Sequence, residues 1–246
     1  MTSLEHALRA AWCLWTSDPV DQPGWTDANP ASGQRASTAL VVQDWLGGEL
    51  LMAEVHEADG SRQGVHYWNR LPDGRELDLT REQFRRGELV GSPQVVERPD
   101  DVTRGRLAGH YQLLAHRVGC TPRGQAVSVK GVCRLPDGRV LLARNHRGEW
   151  ELPGGRPSVG ERFVDCVRRE ILEETGIEVA VDRVLGARAL EVVPDAWVDV
   201  VAYRCRLSDA PALRASAEHT RVAFVVADAV DLPAAYAELV DADVVG

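Results

Sequence analysis

The glutamates between positions 161 and 174 are the residues whose types and spacing most directly suggest chemistry. Glu170, Glu173 and Glu174 are three and four residues apart, so a helix places them on one face. Like charges at this spacing repel by roughly 0.2–0.5 kcal/mol per pair, and nothing in folding requires them. A bound cation removes the repulsion, and carboxylate oxygens suit a hard ion such as Mg²⁺ or Mn²⁺. The cluster therefore predicts a divalent-cation site.

Glycines and apolar residues around the cluster predict the elements that position it. Gly154 and Gly155 permit a tight loop just before the helix. An apolar stripe on the same helix can pack against a sheet. The stripe comprises Phe163, Val167 and Ile171. Gly176 follows the last turn, where a left-handed residue commonly ends a helix.

The stretch from Gly155 to Ile177 resembles the Nudix box, the signature of the Nudix hydrolase family. The signature is Gly, five residues, Glu, seven residues, Arg-Glu, an aliphatic residue, any residue, Glu-Glu, any residue, Gly and an aliphatic residue. Its fixed positions here are Gly155, Glu161, Arg169, Glu170, Ile171, Glu173, Glu174, Gly176 and Ile177. The resemblance implies a C-terminal α/β/α sandwich with a mixed sheet, and hydrolysis of a diphosphate linkage by water.

The resemblance also implies roles for residues of the box. The family's metal-binding glutamates match Glu170, Glu173 and Glu174, and we expect Gly155 to join them as a metal ligand. Arg169, Glu170 and Glu173 are the expected catalytic residues of the helix. Arg169 can hold one carboxylate in place through a two-pronged contact.

Two further glutamates have open assignments. Glu161 fits either a metal contact or a capping box with Ser158, which is a purely structural role. Glu218 lies in SAEHTRVAFV (215–224), which is similar to segments of many MutT-like members. A second acid from such a loop often serves as the base, so Glu218 is a predicted catalytic residue. The alternative is an ordinary solvated loop.

Residues outside the helix are candidates for substrate binding. A nucleobase needs an aromatic or arginine platform, which Trp150 and Trp197 can supply. Arg144 can reach phosphates, and Gly154 and Gly155 lie in the loop that precedes the helix. The alternative is that the tryptophans belong to the core and the arginine to an ordinary surface.

The resemblance implies Mg²⁺-dependent hydrolysis of a nucleoside diphosphate linked to another group. Conversion of a nucleoside triphosphate to a monophosphate and pyrophosphate is the first expectation. ADP-ribose or a sugar nucleotide is the alternative substrate. A non-catalytic nucleotide sensor is a reading of a different class, but the presence of every box glutamate favours an enzyme.

The composition of the chain indicates which classes of binding partner to expect. The chain has 246 residues and a net charge of −9, and it contains no basic cluster, so nucleic acid is not an expected partner. The five cysteines are scattered, which is typical of reduced cytosolic thiols. The apolar run at 10–15 is too short for a signal peptide or a membrane span. We therefore predict a cytoplasmic protein that does not bind membranes. The expected partner is a small nucleotide. A homodimer is compatible with the resemblance, since related enzymes are often monomers or dimers.

The segment GCTPRGQ (119–125) divides the chain into domains 1–118 and 119–246. The first half predicts helices at 4–15, 36–46 and 107–117, strands at 49–55, 65–69 and 76–79, and an irregular stretch at 88–103. The second half predicts strands at 126–134, 140–144, 178–181, 184–192, 197–207 and 221–226, and a helix at 234–239. The motif RLPDGR occurs at 70–75 and at 134–139, and each copy predicts a hairpin turn.

The segments NPASGQRASTALVVQDWLGGELL and HYWNRLPDGRELDLTREQF resemble the YunG-like family over roughly residues 1–118. The resemblance implies a smaller α+β domain with a papain-like layout, in which a cysteine at a helix start faces a histidine and an acid on later strands. His66 and Asp78 fit the last two places, but Arg35 occupies the first. Arginine supplies no nucleophile and meets an unfavourable helix dipole. We therefore expect an inactive domain with a scaffold, dimerisation or substrate-gating role, in which His66 and Asp78 are ordinary strand residues.

Overall fold

The computed structural model describes residues 3–99, 104–119, 126–207 and 212–244. The chain divides into two compact units. The N-terminal unit comprises Met1–Val102 with Leu113–Pro122, and the C-terminal unit comprises Thr103–Gln112 with Arg123–Gly246. Most of the predicted boundary at 119–125 lies outside the described residues, so the boundary stays a prediction.

The N-terminal unit is built on an antiparallel sheet. Its strands are β1 (Glu49–His56), β2 (Arg62–Arg70), β3 (Glu76–Leu77), β4 (Leu89–Val90) and β5 (Gln94–Val96). They follow the order β3-β2-β1-β4, and β5 also pairs with β1. The helices are α1 (Ser3–Ala11) and α2 (Arg35–Leu46). The stretch 88–103 was predicted to be irregular, which is wrong at β4 and β5, where short segments add to the free edge of β1.

The first RLPDGR motif forms the predicted hairpin. β2 and β3 pair in antiparallel register through Arg70 and Glu76. The amide of Leu71 donates to the carbonyl of Arg75 at 2.8 Å, which closes the turn. Local turn chemistry and strand pairing agree here.

The C-terminal unit contains two described sheets. One has the order β6-β10-β9, with β6 parallel and β9 antiparallel to β10, and the other has the order β11-β7-β8. The mixed sheet predicted for this half is therefore confirmed. The strands are β6 (Val127–Cys133), β7 (Val140–Asn145), β8 (Trp150–Glu151), β9 (Val179–Val193), β10 (Ala196–Leu207) and β11 (His219–Val225). The helices are α3 (Ala108–Gly119), whose residues are divided between the two units, α4 (Phe163–Thr175) and α5 (Ala234–Ala242).

The second RLPDGR motif forms the predicted hairpin turn, but the strands on either side of it do not continue as a paired ladder. The turn itself forms, since Leu135 N donates to Arg139 O at 2.8 Å. However, β6 pairs with β10 and β7 pairs with β11, and a single bridge between Arg134 and Val140 joins their ends. Burial of both apolar strands against distant partners outweighs the local preference for a ladder. The segments predicted as separate strands at 178–181 and 184–192 are one irregular strand, β9, whose register shifts against β10.

The apolar stripe of α4 packs closely on β6. Phe163, Val167 and Ile171 are fully buried, as their helical spacing predicts. Gly131 on β6 permits this contact, because a Cβ there would lie 2.4 Å from Ile171 Cδ1. The left-handed Gly176 ends the helix at φ 72°. This packing leaves the carboxylates of α4 on the other flank of the helix.

Candidate metal and nucleotide site

The glycine loop before α4 orients one box glutamate directly. The amide of Val129 on β6 donates to the carbonyl of Gly155 at 2.8 Å, which fixes the loop to the sheet. Gly154 has φ 131°, and a Cβ there would lie 2.2 Å from the Val129 oxygen. The amide of Gly154 donates to Glu174 Oε2 at 2.8 Å. The loop thus requires glycine for its shape and holds the Glu174 carboxylate by its backbone.

Arg169 gathers the other three box glutamates. Its Nε and Nη2 donate to the two oxygens of Glu161 at 2.9 and 3.0 Å. Its Nη1 lies 2.7 Å from Glu170 Oε1 and 3.4 Å from Glu173 Oε2. The hydrogen bonds from Arg169 hold the pKa of the Glu161 carboxyl below its usual value. The predicted two-pronged contact is present, and Glu161 is its partner.

Glu161 braces a turn and does not cap the helix with Ser158. The amide of Ser158 donates to Glu161 Oε2 at 2.8 Å, and the amide of Glu161 donates to the Ser158 carbonyl at 2.9 Å. The helix begins later, at Phe163, with Arg162 as its N-cap. Ser158 therefore lies outside the first helical turn, and the capping box suggested by the spacing is wrong.

A buried charged network lies beside Glu174. The ammonium of Lys130 donates to the Gly154 carbonyl at 2.5 Å and lies 3.6 Å from Glu151 Oε2. His219 Nε2 lies 3.4 Å from Glu151 Oε1 and 3.9 Å from Glu174 Oε1. Lys130, Glu174 and His219 are all buried, and Glu151 is half-buried. Two carboxylates and two basic side chains thus share one low-dielectric space.

This network shifts the protonation of its members. Burial raises the pKa of Glu174 to about 7, against the opposing charge of Lys130 and the amide of Gly154. Interaction with Glu151 raises the pKa of His219. Burial acts to raise the pKa of Glu151, but His219 and Lys130 outweigh it, and the net shift is downward. The pKa of each group in this network therefore depends on the charge of its neighbours.

Sequence reasoning missed three members of this network. Lys130, Glu151 and His219 are 21 and 68 residues apart along the chain, and only the fold brings them together. A pattern was nevertheless available for Lys130. It is the only lysine of the chain and interrupts the apolar run VSVKGVC. A charged residue inside an apolar strand needs a buried partner, which is a search criterion for a site.

Glu218 lies on a loop tied to the end of α4. The amide of Ser216 donates to the Glu174 carbonyl at 3.0 Å. The amide of Glu218 donates to Ser216 Oγ at 3.3 Å, and the Glu218 side chain is exposed. The adjacent His219 points into the buried network. The predicted loop therefore reaches the box, with its histidine inside and its glutamate in solvent.

Trp150 lies close to two arginines of the sheet β11-β7-β8. The guanidinium carbons of Arg144 and Arg221 are 5.9 and 5.8 Å from its ring centre. The strand register places these three residues opposite one another, hence on one face. Glu151, the next residue on β8, faces the other way. Trp197 is half-buried at the start of β10.

The donor set suits a hard divalent cation. Its groups are carboxylate and carbonyl oxygens, which Mg²⁺ and Mn²⁺ prefer. The missing side chain of Gly155 leaves room for Glu170, since a Cβ would lie 2.5 Å from Glu170 Oε2. Among the residues that the structure describes, no three His, Cys, Asp or Glu side chains already converge as a cation cage. Glu170 and Glu173 instead share Arg169 as a counter-ion.

In the N-terminal unit, the buried His66 contacts Asp78, which the interpretation of both as ordinary strand residues did not include. His66 Nε2 lies 2.9 Å from Asp78 Oδ2, and Nδ1 lies 3.3 Å from Gln83 Nε2. The imidazole is fully buried, with its centre 5.4 Å from the Trp68 ring and 4.7 Å from the Phe84 ring. Both ring nitrogens are therefore engaged, as in a structural histidine.

Arg35 begins α2 at the place where the papain-like layout needs a nucleophile. Its Nη1 donates to Asp21 Oδ2 at 2.6 Å, so a local carboxylate neutralises it. The comparisons with known proteins give the papain-like likeness no support. The described architecture is an antiparallel sheet with packed helices.

Two family models match the chain, one in each half. Residues 124–243 match the NUDIX domain family, and residues 1–121 match the family described as YunG protein. The chain belongs to the NUDIX family and carries a YunG segment before it. A MutT-like protein from Streptomyces ambofaciens is 39% identical over 113 residues, which cover 45% of this chain and 70% of that protein. The enzyme class is accordingly that of the MutT-like pyrophosphohydrolases.

Further comparisons concern each half separately. The YunG protein of Bacillus subtilis (strain 168) is 32% identical over 85 residues, or 35% of this chain and 64% of that protein. The MutT protein of Methanosarcina mazei Go1 is 25% identical, with a TM-score of 0.42, over 47% of this chain and 90% of that one. The NUDIX domain of Shewanella oneidensis NrtR, solved with ADP ribose, is 22% identical, with a TM-score of 0.42, over 49% of this chain and 86% of that one. The family assignment rests on the sequence matches.

Helices of the described ranges are too short or too polar to cross a bilayer.

Proposed function

We propose that residues 119–246 form a Mg²⁺-dependent hydrolase domain that converts a nucleoside triphosphate to the monophosphate and pyrophosphate. The observation that carries this proposal is the complete box on α4. Its glutamates Glu170, Glu173 and Glu174 lie at helical spacing beside the glycine loop. Membership of the NUDIX family and the MutT-like relative support the same reaction class.

Four residues would hold the cation. Glu170, Glu173 and Glu174 supply carboxylates, and the Gly155 carbonyl supplies a further oxygen. Mg²⁺, or Mn²⁺ in its place, neutralises phosphate oxygens and lowers the pKa of bound water when it is present. Arg169 keeps the Glu170 side chain in position before substrate arrives, which is a positioning role.

We assign the role of general base to Glu218. Its loop is fixed to the last turn of α4 through Ser216, so the exposed Glu218 carboxylate lies on a loop next to the C-terminal end of that helix. Glu218 accepts the proton of the attacking water. Proton transfer to a positioned group of this kind contributes about 10²–10⁴ in rate.

The substrate binds through the loop and an aromatic platform. Gly154 and Gly155 let the backbone approach phosphate oxygens because no side chain intervenes. Trp150 offers a ring for the base, and Arg144 beside it offers a positive charge; Trp197 on β10 is the second aromatic candidate. β8 is the edge strand of its described sheet, and the exposed Arg144 lies on the same face as Trp150, where a nucleotide can approach.

The location follows from the thiols. The described cysteines Cys13, Cys133, Cys166 and Cys205 are all free. Free thiols suit a reducing compartment, so we propose the cytoplasm.

The N-terminal domain, residues 1–118, would serve as a catalytically inactive scaffold, dimerisation or gating domain.

A substrate panel tests the proposal. The purified chain is incubated with Mg²⁺ and nucleoside triphosphates (normal and oxidised), ADP-ribose or sugar nucleotides, and the products are separated by ion exchange. Pyrophosphate and a nucleoside monophosphate from a triphosphate are expected. Turnover of ADP-ribose alone would replace the substrate class. Tight nucleotide binding with no turnover of any compound would overturn the enzyme proposal in favour of a sensor.

A further inference from the structure

The only lysine of the chain is buried beside the box. Lys130 is 6% exposed, on a strand whose neighbours are apolar. An ammonium is costly to bury unless carboxylate and carbonyl oxygens surround it. Its described partners are the Gly154 carbonyl at 2.5 Å and Glu151 Oε2 at 3.6 Å. These are oxygen ligands of the kind that hold a hard cation.

The position of Lys130 makes it part of the carboxylate cluster. Gly154 binds Lys130 through its carbonyl and Glu174 through its amide, so a single residue of the glycine loop links the lysine to a box glutamate. Glu151 links it to His219, which also approaches Glu174. Lys130 thus faces the inner, buried side of the cluster, while the exposed Glu173 marks the outer side.

We propose that the Lys130 ammonium takes the place of a divalent cation at the inner end of the carboxylate cluster. Glu151 and Glu174 are then neutralised there by the chain itself. Divalent cations are confined to the groups proposed above to hold them, which are Glu170, Glu173, Glu174 and the Gly155 carbonyl. The inference rests on the proposed metal-dependent function and adds to it a limit on the number of metal ions.

The charges of the neighbours support this assignment. Without Lys130, Glu151 and Glu174 would share a buried space with His219 as their remaining basic neighbour among the contacts described. Uncompensated carboxylates in such a space attract a cation strongly, because the local dielectric constant is low. The lysine therefore occupies, in both charge and place, the position that an inner metal ion would take.

Mn²⁺ binding to the full chain, without any nucleotide, tests the proposal. Free Mn²⁺ is measured by electron paramagnetic resonance during a titration of wild type and Lys130→Met. We expect Lys130→Met to bind one additional Mn²⁺ per chain, or to bind its weakest Mn²⁺ at least tenfold more tightly. Lys130→Gln, which keeps a donor for the Gly154 carbonyl, is a second variant with the same expected gain if Lys130→Met does not fold.

Two matched variants separate charge from general disturbance. The double variant Lys130→Met/Glu151→Gln removes one charge of each sign, so its Mn²⁺ number is expected to return to that of wild type. Lys130→Arg keeps the positive charge and should also match wild type. An unchanged or weaker Mn²⁺ affinity in both Lys130→Met and Lys130→Gln would overturn the proposal.

Failure of this inference differs from failure of the proposed function. If wild type binds Mn²⁺ and hydrolyses nucleotides while the lysine variants bind Mn²⁺ as wild type does, only the inner-cation inference is lost. If wild type neither binds Mn²⁺ nor hydrolyses any nucleotide of the panel, the metal-dependent function itself is wrong.

Discussion

The guanidinium of Arg169 binds both carboxylate oxygens of Glu161, at 2.9 and 3.0 Å. Its third nitrogen reaches Glu170 Oε1 at 2.7 Å. Glu161 also accepts a hydrogen bond from the amide of Ser158, so the turn before the helix, the arginine and a predicted metal ligand are joined directly. The fixed spacing of the box thus corresponds to a continuous set of contacts, in which Glu161 acts on Glu170 through Arg169.

Glu161→Gln should weaken this arrangement without removing a metal ligand. The neutral amide loses the charge of the two-pronged contact, which we put at about 1 kcal/mol because Arg169 is partly exposed. We expect kcat to fall about fivefold with little change in Mn²⁺ affinity. A double-mutant cycle with Arg169→Met measures the coupling, and strictly additive effects on kcat would show that the contact has no part in the reaction.

Glu174→Gln should abolish metal-dependent turnover and leave the fold intact. The glutamine oxygen can still accept from the Gly154 amide, but it carries no charge for a cation. We expect at least a 100-fold loss of kcat and weaker Mn²⁺ binding, with a thermal midpoint close to that of wild type. Glu178→Gln, on an exposed residue just beyond the helix, is the control and should match wild type. Full activity of Glu174→Gln would place the metal site elsewhere.

The box could be predicted from sequence because its positions are local. Helical spacing alone placed Glu170, Glu173 and Glu174 on one helix, and Gly176 at its left-handed end. The same local reasoning also predicts the turn at the second RLPDGR motif, but it does not predict that β6 and β7 pair with the distant strands β10 and β11. Turn chemistry acts within six residues, whereas strand pairing depends on burial across the whole unit.

The buried network could not be derived from spacing for the same reason. Lys130 contacts Glu151, and Glu151 contacts His219, only because the fold brings β6, β8 and β11 together. The sequence marks Lys130 as unusual, but it does not name the partner. The same holds for His66, which the sequence indicates only as an ordinary strand residue. The structure shows that both of its ring nitrogens are engaged and that its ring lies against Trp68 and Phe84.

Glu218→Gln tests the proposed base. Loss of the carboxylate should lower kcat by about 10²-fold with KM little changed, because a general base acts in the transition state. His219→Gln is the informative neighbour, since His219 contacts Glu151 and Glu174 while Glu218 is exposed. If His219→Gln loses activity and Glu218→Gln retains it, the base assignment to Glu218 is wrong.

Gly131→Ala tests the close contact between β6 and α4. The added methyl would lie 2.4 Å from Ile171 Cδ1, so the helix or the side chain must move. Overpacking of this kind typically costs about 1–3 kcal/mol of unfolding free energy, which urea denaturation measures. Gly64→Ala is the control, because nothing lies within 4 Å of a Cβ at that strand position. Equal stability of the two variants would contradict the packing described for α4.

Asp78→Ala separates a structural from a catalytic role in the N-terminal unit. The substitution leaves Nε2 of the buried His66 without the carboxylate 2.9 Å away, and an unsatisfied buried donor costs about 1–3 kcal/mol. We therefore expect a lower thermal midpoint, while kcat/KM for nucleotide hydrolysis stays within about twofold of wild type, because the two units carry separate cores. Asp73→Ala, in the exposed turn of the first hairpin, is the matched control and should affect neither quantity strongly. The assay is run at a temperature where Asp78→Ala remains folded. A large loss of hydrolysis there would mean that the N-terminal unit takes part in the reaction, and its assignment as catalytically inactive would be wrong.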